Sequence, residues 1–421
     1  MNFKYITTTP PINGRIKEYC EDFIVSEVGI NFTTEVKYLP NKLLQEIDWD
    51  FVFSNKPEEA DYLFLTMEKN NLATTVALSQ MARFLHTSKK RIGYAGLKDK
   101  RALTSQRISI YLPDKERLKK FYFKTIKVYD PIWTRDRIDI GDLLENKFIV
   151  TIRKIKDLSI PEIQTITDTC LNEIKENGLI NYFGEQRFGG TREVTHRVGK
   201  LLMQNKYKEA ILLYLTETNE HEIQELKTAR EELAKDLDFG KHASSFPANS
   251  GYESAMLNHL AKNPEDYLGS IKVLPKSVQY LFIHAYQSYL FNELINMRLN
   301  RGYGLGRLDG DRVVNGMVQL PLFGFQSTFS DGLAGELEKE LFEKEGINFD
   351  LFFNRDYSVL SSKGEWRDIK TEARDVKLIE VSDDERVGSE GLKKLTLSFT
   401  LSKGNYATVL LRELIKQENI G

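Results

Sequence analysis

The first clear alternation of apolar and polar positions falls at the end of GRIKEYCEDFIVSEV (Gly14 to Val28), where Phe23, Val25 and Glu27 recur with period two and predict a strand with one buried face. Lys17, Glu21, Asp22 and Glu27 read there as polar positions of a solvated strand edge. Asp61 to Met67 (DYLFLTM) predicts a buried strand, and Asn71 caps a helix over Leu72 to Leu85 whose Ala73, Val76, Ala77, Met81 and Leu85 follow a 3.6-residue period. Three further strands follow at Arg107 to Tyr111, Phe121 to Tyr129 and Lys147 to Ile155, then a helix over Pro161 to Glu176 with proline in its first turn. Beyond residue 200 the pattern turns helical. A long amphipathic helix spans Gln279 to Arg301, a hairpin segment Asp309 to Gly324, and another helix Ser330 to Lys344. Alternation returns at Val376 to Val381 and Leu392 to Ser402, before a closing helix over Gly404 to Lys416.

Strands and helices without a regular βαβ alternation predict an α+β fold with a mixed, mostly antiparallel sheet. The strands of the first 155 residues and the C-terminal pair form one sheet in this reading. Residues 1–200 with 371–421 make one domain, and residues 201–370 a largely helical module inserted into it.

Composition narrows the class. At 421 residues with 41% hydrophobic positions the chain is globular. No apolar run approaches the roughly 18 residues of a spanning helix, and MNFKYITTTPP lacks the features of a signal peptide, so a cytoplasmic location is expected. Cys20 and Cys170 stand far apart, and the six histidines form no metal-binding spacing; no metal is expected. The absence of GxGxxG and GxxxxGK[ST] disfavours nucleotide-cofactor folds.

Charge singles out one stretch. Net charge is −2, yet Arg83 to Arg107 holds eight Lys or Arg and one acid, Asp99. An uneven charge map permits a local phosphate-binding face on an acidic protein. In KKRIGYAGLKDKRALTSQ (Lys89 to Gln106) the small residues Gly93, Ala95 and Gly96 permit a tight turn or a close approach to a ligand. Asp99 is the candidate catalytic carboxylate, and Lys89, Lys90, Arg91, Lys98, Lys100 and Arg101 are candidate contacts to an RNA backbone. The plainer alternative is a solvated surface turn. A second cluster, NYFGEQRFGG (Asn181 to Gly190), offers rings for stacking a base and an amide and guanidinium for hydrogen bonds. Its alternative is ordinary core packing of Phe183 and Phe188, with Glu185 and Arg187 as an internal ion pair.

GYAGLKDKRALTSQ and NYFGEQRFG, in this order and spacing, resemble the signatures of the TruD family of tRNA pseudouridine synthases. EDFIVSE, GNYATVLLREL and the HAYQSYLFNELI helix are weaker matches, and together they run from about residue 14 to 416. Cys20 stands where the family usually has proline, and Tyr406 where bacterial members have phenylalanine. The acidic helical stretch from about 206 to 270 resembles the archaeal and eukaryotic branch.

The resemblance implies an enzyme that isomerises a uridine of tRNA, by family expectation uridine 13, to pseudouridine without cofactor or metal. It implies Asp99 as the catalytic carboxylate, Lys17 as its basic neighbour, and Phe183 as the ring on which the flipped base stacks. Asn181 would contact the substrate or the aspartate, and Phe23 and Tyr406 would complete the pocket. The middle module would be the inserted TRUD domain that helps form an RNA cleft. tRNA is the expected partner, with no membrane, and a monomer is compatible with the reading. The chemical route stays open among attack at C1′, addition at C6 and a glycal. Two other readings are a non-catalytic RNA-binding or RNA-folding protein and an enzyme acting on a small sugar nucleotide.

Overall fold

The computed structural model describes residues 3–39, 46–220, 222–247, 250–386 and 391–417. The chain divides into two compact units, residues 5–179 with 372–421, and residues 180–371 with 1–4. The first boundary falls at residue 180 rather than 200, because the helix Ile160–Asn177 stops at Gly178 in a positive-φ conformation (φ 76°). The NYFGEQRFGG segment beyond it belongs to the second unit, where Asn292 of the long helix Lys276–Asn300 brackets the Phe183 peptide, accepting from its N–H and donating to its C=O, both at 3.0 Å.

The first unit is built on one eight-stranded sheet. Its strands are β1 (Phe23–Val28), β2 (Tyr62–Asn70), β3 (Ile92–Tyr94), β4 (Leu103–Tyr111), β5 (Ile126–Thr134), β6 (Glu145–Ile155), β7 (Ala373–Asp383) and β8 (Lys393–Ser402). They lie in the order β7-β8-β6-β1-β4-β2-β5, with β3 alongside β4. Only β1 and β4 run parallel. The C-terminal strands enter through an antiparallel ladder of β8 on β6, from Lys393 opposite Ile155 to Ser402 opposite Glu145, so the two ends of the sequence do share one sheet.

Two large apolar clusters and a smaller one around Ala95, Ile138 and Leu143 lie within the unit. Phe23, Val25, Phe148, Val150, Leu397 and Phe399 pack under the helices Ile160–Asn177 and Ala407–Ile415, and Leu63, Leu65, Met67, Ile108 and Ile110 pack against Ala77, Leu78 and Met81 of the helix Thr74–Phe84. The helix Ile160–Asn177 opens with a capping box in which Ser159 and Glu162 satisfy each other's backbone N–H groups.

Three local expectations change. Asn71 is not a cap: it takes a left-handed conformation (φ 49°), and Ala73 occupies the N-cap position without a side-chain bond. Phe121 and Phe123 precede β5 and pack against Phe84, because the strand begins only at Ile126. Asp22 and Glu27 are buried, not solvated. Asp22 accepts from Arg153 Nε at 2.7 Å, and the other side of that guanidinium meets Asp384 at 2.6 Å.

The second unit is mostly helical, around the long helix Lys276–Asn300 and a three-stranded antiparallel sheet of Arg312–Val314, Met317–Leu322 and Glu365–Asp368. Several of its ion pairs are buried. Arg298 grips both oxygens of Asp311 at 2.7 and 2.8 Å, and Arg230 bridges Glu222 and Glu253 at 2.9 and 2.8 Å, so the acidic stretch is tied inward by a buried arginine. Among the described residues no helix is long and apolar enough to cross a membrane.

Candidate active site

Successive side chains of a strand alternate between its faces, so Phe23, Val25 and Glu27 share one face of β1, and Leu63, Leu65, Met67 and Lys69 one face of β2. Cross-strand partners share a face too. Val25 pairs with Thr104 and Thr104 with Lys69, which places Glu27, Thr104, Gln106 and Lys69 on the side over which residues 95–102 pass.

That loop is held from beneath at several points. Lys98 Nζ meets Glu27 Oε2 at 2.6 Å, with side chains only 4% and 0% exposed. The other oxygen of Glu27 accepts the Arg107 N–H at 3.2 Å, in the interval between the β4 residues that pair with β1 and those that pair with β3. The Lys98 N–H donates to Thr74 Oγ1 at 3.0 Å, and Gln106 Nε2 donates to the Gly96 carbonyl at 3.0 Å. Lys69 Nζ donates to the Asp99 carbonyl at 2.7 Å. Asp99 is thereby carried on a backbone fixed to two strands and a helix.

The Asp99 carboxylate itself faces Lys17, whose Nζ lies 2.7 Å from Oδ1; the side chains are 25% and 12% exposed. Lys17 is seated on the Phe23 ring, with Nζ 4.1 Å from its centroid. Phe23 is backed edge-on by Phe148, which stacks on Phe399. Lys17 also has a left-handed backbone (φ 59°), the kind of local strain that a surrounding structure must impose. Replacing Lys17 with alanine is expected to lower the turnover rate on the order of 10²-fold, through lost positioning, with tRNA affinity changed less than about threefold. Lys17→Gly should be more stable than Lys17→Ala by about 1 kcal/mol, because glycine adopts positive φ freely. Single-turnover rates and urea denaturation read the two effects.

The basic run divides into two classes. Lys89, Lys90, Arg91, Lys100 and Arg101 are exposed. Lys98 is buried against Glu27 and is unsuited to a phosphate contact, which corrects its assignment to the RNA-facing set. Gly93 is not a turn residue either. It lies in β3, where an added Cβ would stand 2.2 Å from the Ile138 carbonyl oxygen, so its role is close backbone packing.

Tyr406 belongs to the same unit, extended and half-buried at the N-cap of the helix Ala407–Ile415. Residues 139–145 tether both its neighbourhood and the start of the loop: Gly141 N–H donates to the Ala95 carbonyl at 2.8 Å, and Lys403 N–H to the Leu144 carbonyl at 2.9 Å. Asn181 and Phe183 lie in the second unit. The Asn181 amide donates to the Asp368 carbonyl at 2.8 Å, and its Oδ1 accepts from Arg367. The same Arg367 guanidinium lies 4.2 Å over the Phe183 ring, which meets Phe291 edge-on. Phe188 is core, fully buried beside His196.

The protein-family model for tRNA pseudouridine synthase D (TruD) matches residues 2–317 and 314–414. The chain belongs to the TruD family. It is 35% identical to the "Probable tRNA pseudouridine synthase D" of Methanosarcina acetivorans, over 93% of this chain and 97% of that one. It is 31% identical to the "Probable tRNA pseudouridine synthase D 1" of Methanocaldococcus jannaschii, across 100% of both. A crystal structure of a TruD protein from Methanosarcina mazei superposes with a TM-score of 0.74 at 32% identity, covering 99% of this chain and 96% of the other. As a TruD-family tRNA pseudouridine synthase, the chain is an isomerase acting on uridine in tRNA.

Four residues of this TruD chain were not singled out for the site from the sequence: Glu27, Lys69, Thr74 and Arg367. Lys69 and Glu27 carried a signal, since each continues an apolar period-two face, after Leu63, Leu65 and Met67 in one case and Phe23 and Val25 in the other. Arg367 carried none; it reaches Asn181 and Phe183 only through the fold.

Proposed function

We propose that Asp99 is the carboxylate that rearranges the target nucleoside, that the target is uridine 13 of tRNA, and that the flipped base stacks on Phe183. The observation that carries the first point is the Lys17–Asp99 pair: a partly exposed carboxylate aligned by a cation that is itself seated on Phe23. A merely solvated turn has no need of buried anchors at Lys98 and at the Asp99 carbonyl.

The reaction breaks N1–C1′, turns the base and forms C5–C1′, and the C5 hydrogen leaves as a proton. Asp99 serves any of three routes: attack on C1′, addition to C6 of the base, or removal of the C2′ proton. Flipping the target costs a few kcal/mol of lost stacking, which stacking on an aromatic ring and phosphate contacts offset. Arg367 favours Phe183 as the platform, because a planar guanidinium already lies over that ring and donates to Asn181, as a uracil edge would. Uracil entry replaces the guanidinium. Phe23, largely enclosed, supports Lys17, and Tyr406, half-buried in the same unit, is our proposed second ring at the border of the pocket. The exposed Lys89, Lys90, Arg91, Lys100 and Arg101 contact phosphates.

The target assignment is tested with an unmodified tRNA transcript carrying cytidine at position 13. Pseudouridine formation is expected to vanish with it and persist in the unaltered transcript; undiminished formation would place the target elsewhere. The phosphate contacts are tested by the salt dependence of tRNA binding. Lys100→Ala should reduce the slope of log K against log salt by about 1, and Lys98→Met should leave it unchanged.

A further inference from the structure

We propose that Lys69 is a positioning residue for the reaction: its ammonium, held beneath the loop by the sheet, fixes the backbone of Asp99 and supplies, with Lys17, the second cation beside that carboxylate. The inference rests on Asp99 being the reacting carboxylate.

A lysine on the apolar face of a central strand is an unusual choice, and its surroundings explain it. Lys69 is fully buried, follows Leu63, Leu65 and Met67 on one face of β2, and faces Thr104 across β4 and Ile126 across β5. Its ammonium reaches the carbonyls of two consecutive loop residues, Asp99 at 2.7 Å and Lys98 at 3.5 Å. The peptide groups on either side of the Asp99 α-carbon are therefore both held from β2 through their carbonyls, and the Lys98 N–H on Thr74 ties the preceding peptide to the helix Thr74–Phe84. Lys17 in turn holds the Asp99 carboxylate. An apolar side chain could fill the space but could not bind two carbonyl oxygens, and an amide could bind them only without a positive charge beside Asp99.

The charged groups around Lys69 are few. Asp99 and Lys98 face it from the loop, Lys17 is bonded to the Asp99 carboxylate, and Glu27 neutralises Lys98 from β1. On its own strand the neighbouring Glu68 points to the opposite face, toward the N–H groups of residues 37–39. Burial pushes the Lys69 ammonium down to about 8; the Asp99 charge opposes that shift and the Lys98 charge adds to it. The sign then separates function from stability. An unfolded lysine holds its proton to about pH 10.5. Between about pH 8 and 10.5 the unfolded chain therefore binds more protons at this position, and its contribution to stability rises with pH. Activity moves the other way in that window, because the clamp loses its charge.

The test is a set of single-turnover rates on a tRNA transcript from pH 6.5 to 9.5 for the wild-type protein, Lys69→Met and Lys69→Arg, with Asp99→Ala alongside. The wild-type rate is expected to fall at least about threefold from pH 7 to 9, as most of the ammonium deprotonates. Lys69→Met should be on the order of 10²-fold slower at pH 7, with tRNA affinity within about threefold of wild type and no alkaline decline. Lys69→Arg, which keeps its charge throughout, should recover much of the rate and also show no alkaline decline. Denaturation midpoints of wild type should gain on those of Lys69→Met as pH rises from 8 to 10. Lys69→Met turning over within about threefold of wild type at pH 7, or Lys69→Arg retaining the wild-type alkaline decline, overturns the proposal; the arginine result decides even where the methionine variant fails to fold. Full activity in Asp99→Ala instead removes the assignment of Asp99, independently of how Lys69 behaves.

Discussion

Asp99→Ala is expected to bind tRNA with wild-type affinity and to form pseudouridine at least about 10³-fold more slowly, the range seen when a group acting directly on reacting atoms is removed. Binding should survive because the charges offered to phosphates, Lys89, Lys90, Arg91, Lys100 and Arg101, lie elsewhere on the exposed surface. The fold should survive as well. The loop is anchored through the Asp99 carbonyl, the Lys98 side chain and the Gly96 carbonyl, none of which uses the carboxylate. The variant leaves Lys17 with its seat on Phe23 but without its 2.7 Å partner. Asp99→Asn, close in shape, should be nearly as slow, because the loss is of charge and basicity and not of volume. Gel-shift affinity and single-turnover rate, measured on the same preparation, separate the two effects.

The largest stability effect is expected at Glu27. Its carboxylate is completely enclosed, neutralises a lysine that is nearly so, and also takes the Arg107 N–H. Glu27→Ala strands a buried ammonium and a backbone donor, and such losses cost about 3–5 kcal/mol. The double variant Glu27→Leu, Lys98→Met removes both charges together and should recover most of that loss, since apolar replacement of a whole buried pair is often close to neutral. Urea denaturation of the two single variants and the double variant provides the cycle. A loss below about 1 kcal/mol in Glu27→Ala would mean that the pair is solvated. Because Lys98 adjoins Asp99, Glu27→Ala should also slow turnover, whereas the double variant, with the Asp99 carbonyl still on Lys69, should keep part of it.

Much of this arrangement was legible in the residues. The pattern identified seven of the eight strands of the sheet, missing β3, and the return of alternation after residue 370 announced that the C-terminal pair rejoins the sheet, which the β8–β6 ladder shows. Asp99 stood out because it is the single acid in a basic run, and the structure does bring Lys17 and Phe23 to it. What stayed hidden depends on contacts between distant segments. Glu27 and Lys98 are 71 residues apart, and their pairing appears only once the loop closes over β1. Lys98 reads as one more surface cation because its neighbours Lys100 and Arg101 are surface cations. Arg367 lies 186 residues from Asn181, in a stretch without a motif, and meets it only because the chain beside Asn181 runs against residues 367–369. The helix start near Asn71 was misplaced for a local reason: the asparagine serves a left-handed turn that precedes the cap.

The most direct test of the central claim is tritium release from a tRNA transcript labelled at C5 of its uridines, followed for the wild-type protein and Asp99→Ala at equal RNA occupancy. The predicted result is stoichiometric release with pseudouridine in the product for wild type, and release no greater than the protein-free blank for Asp99→Ala. Equal release by both proteins, or RNA binding by the wild-type protein without any release, would contradict it.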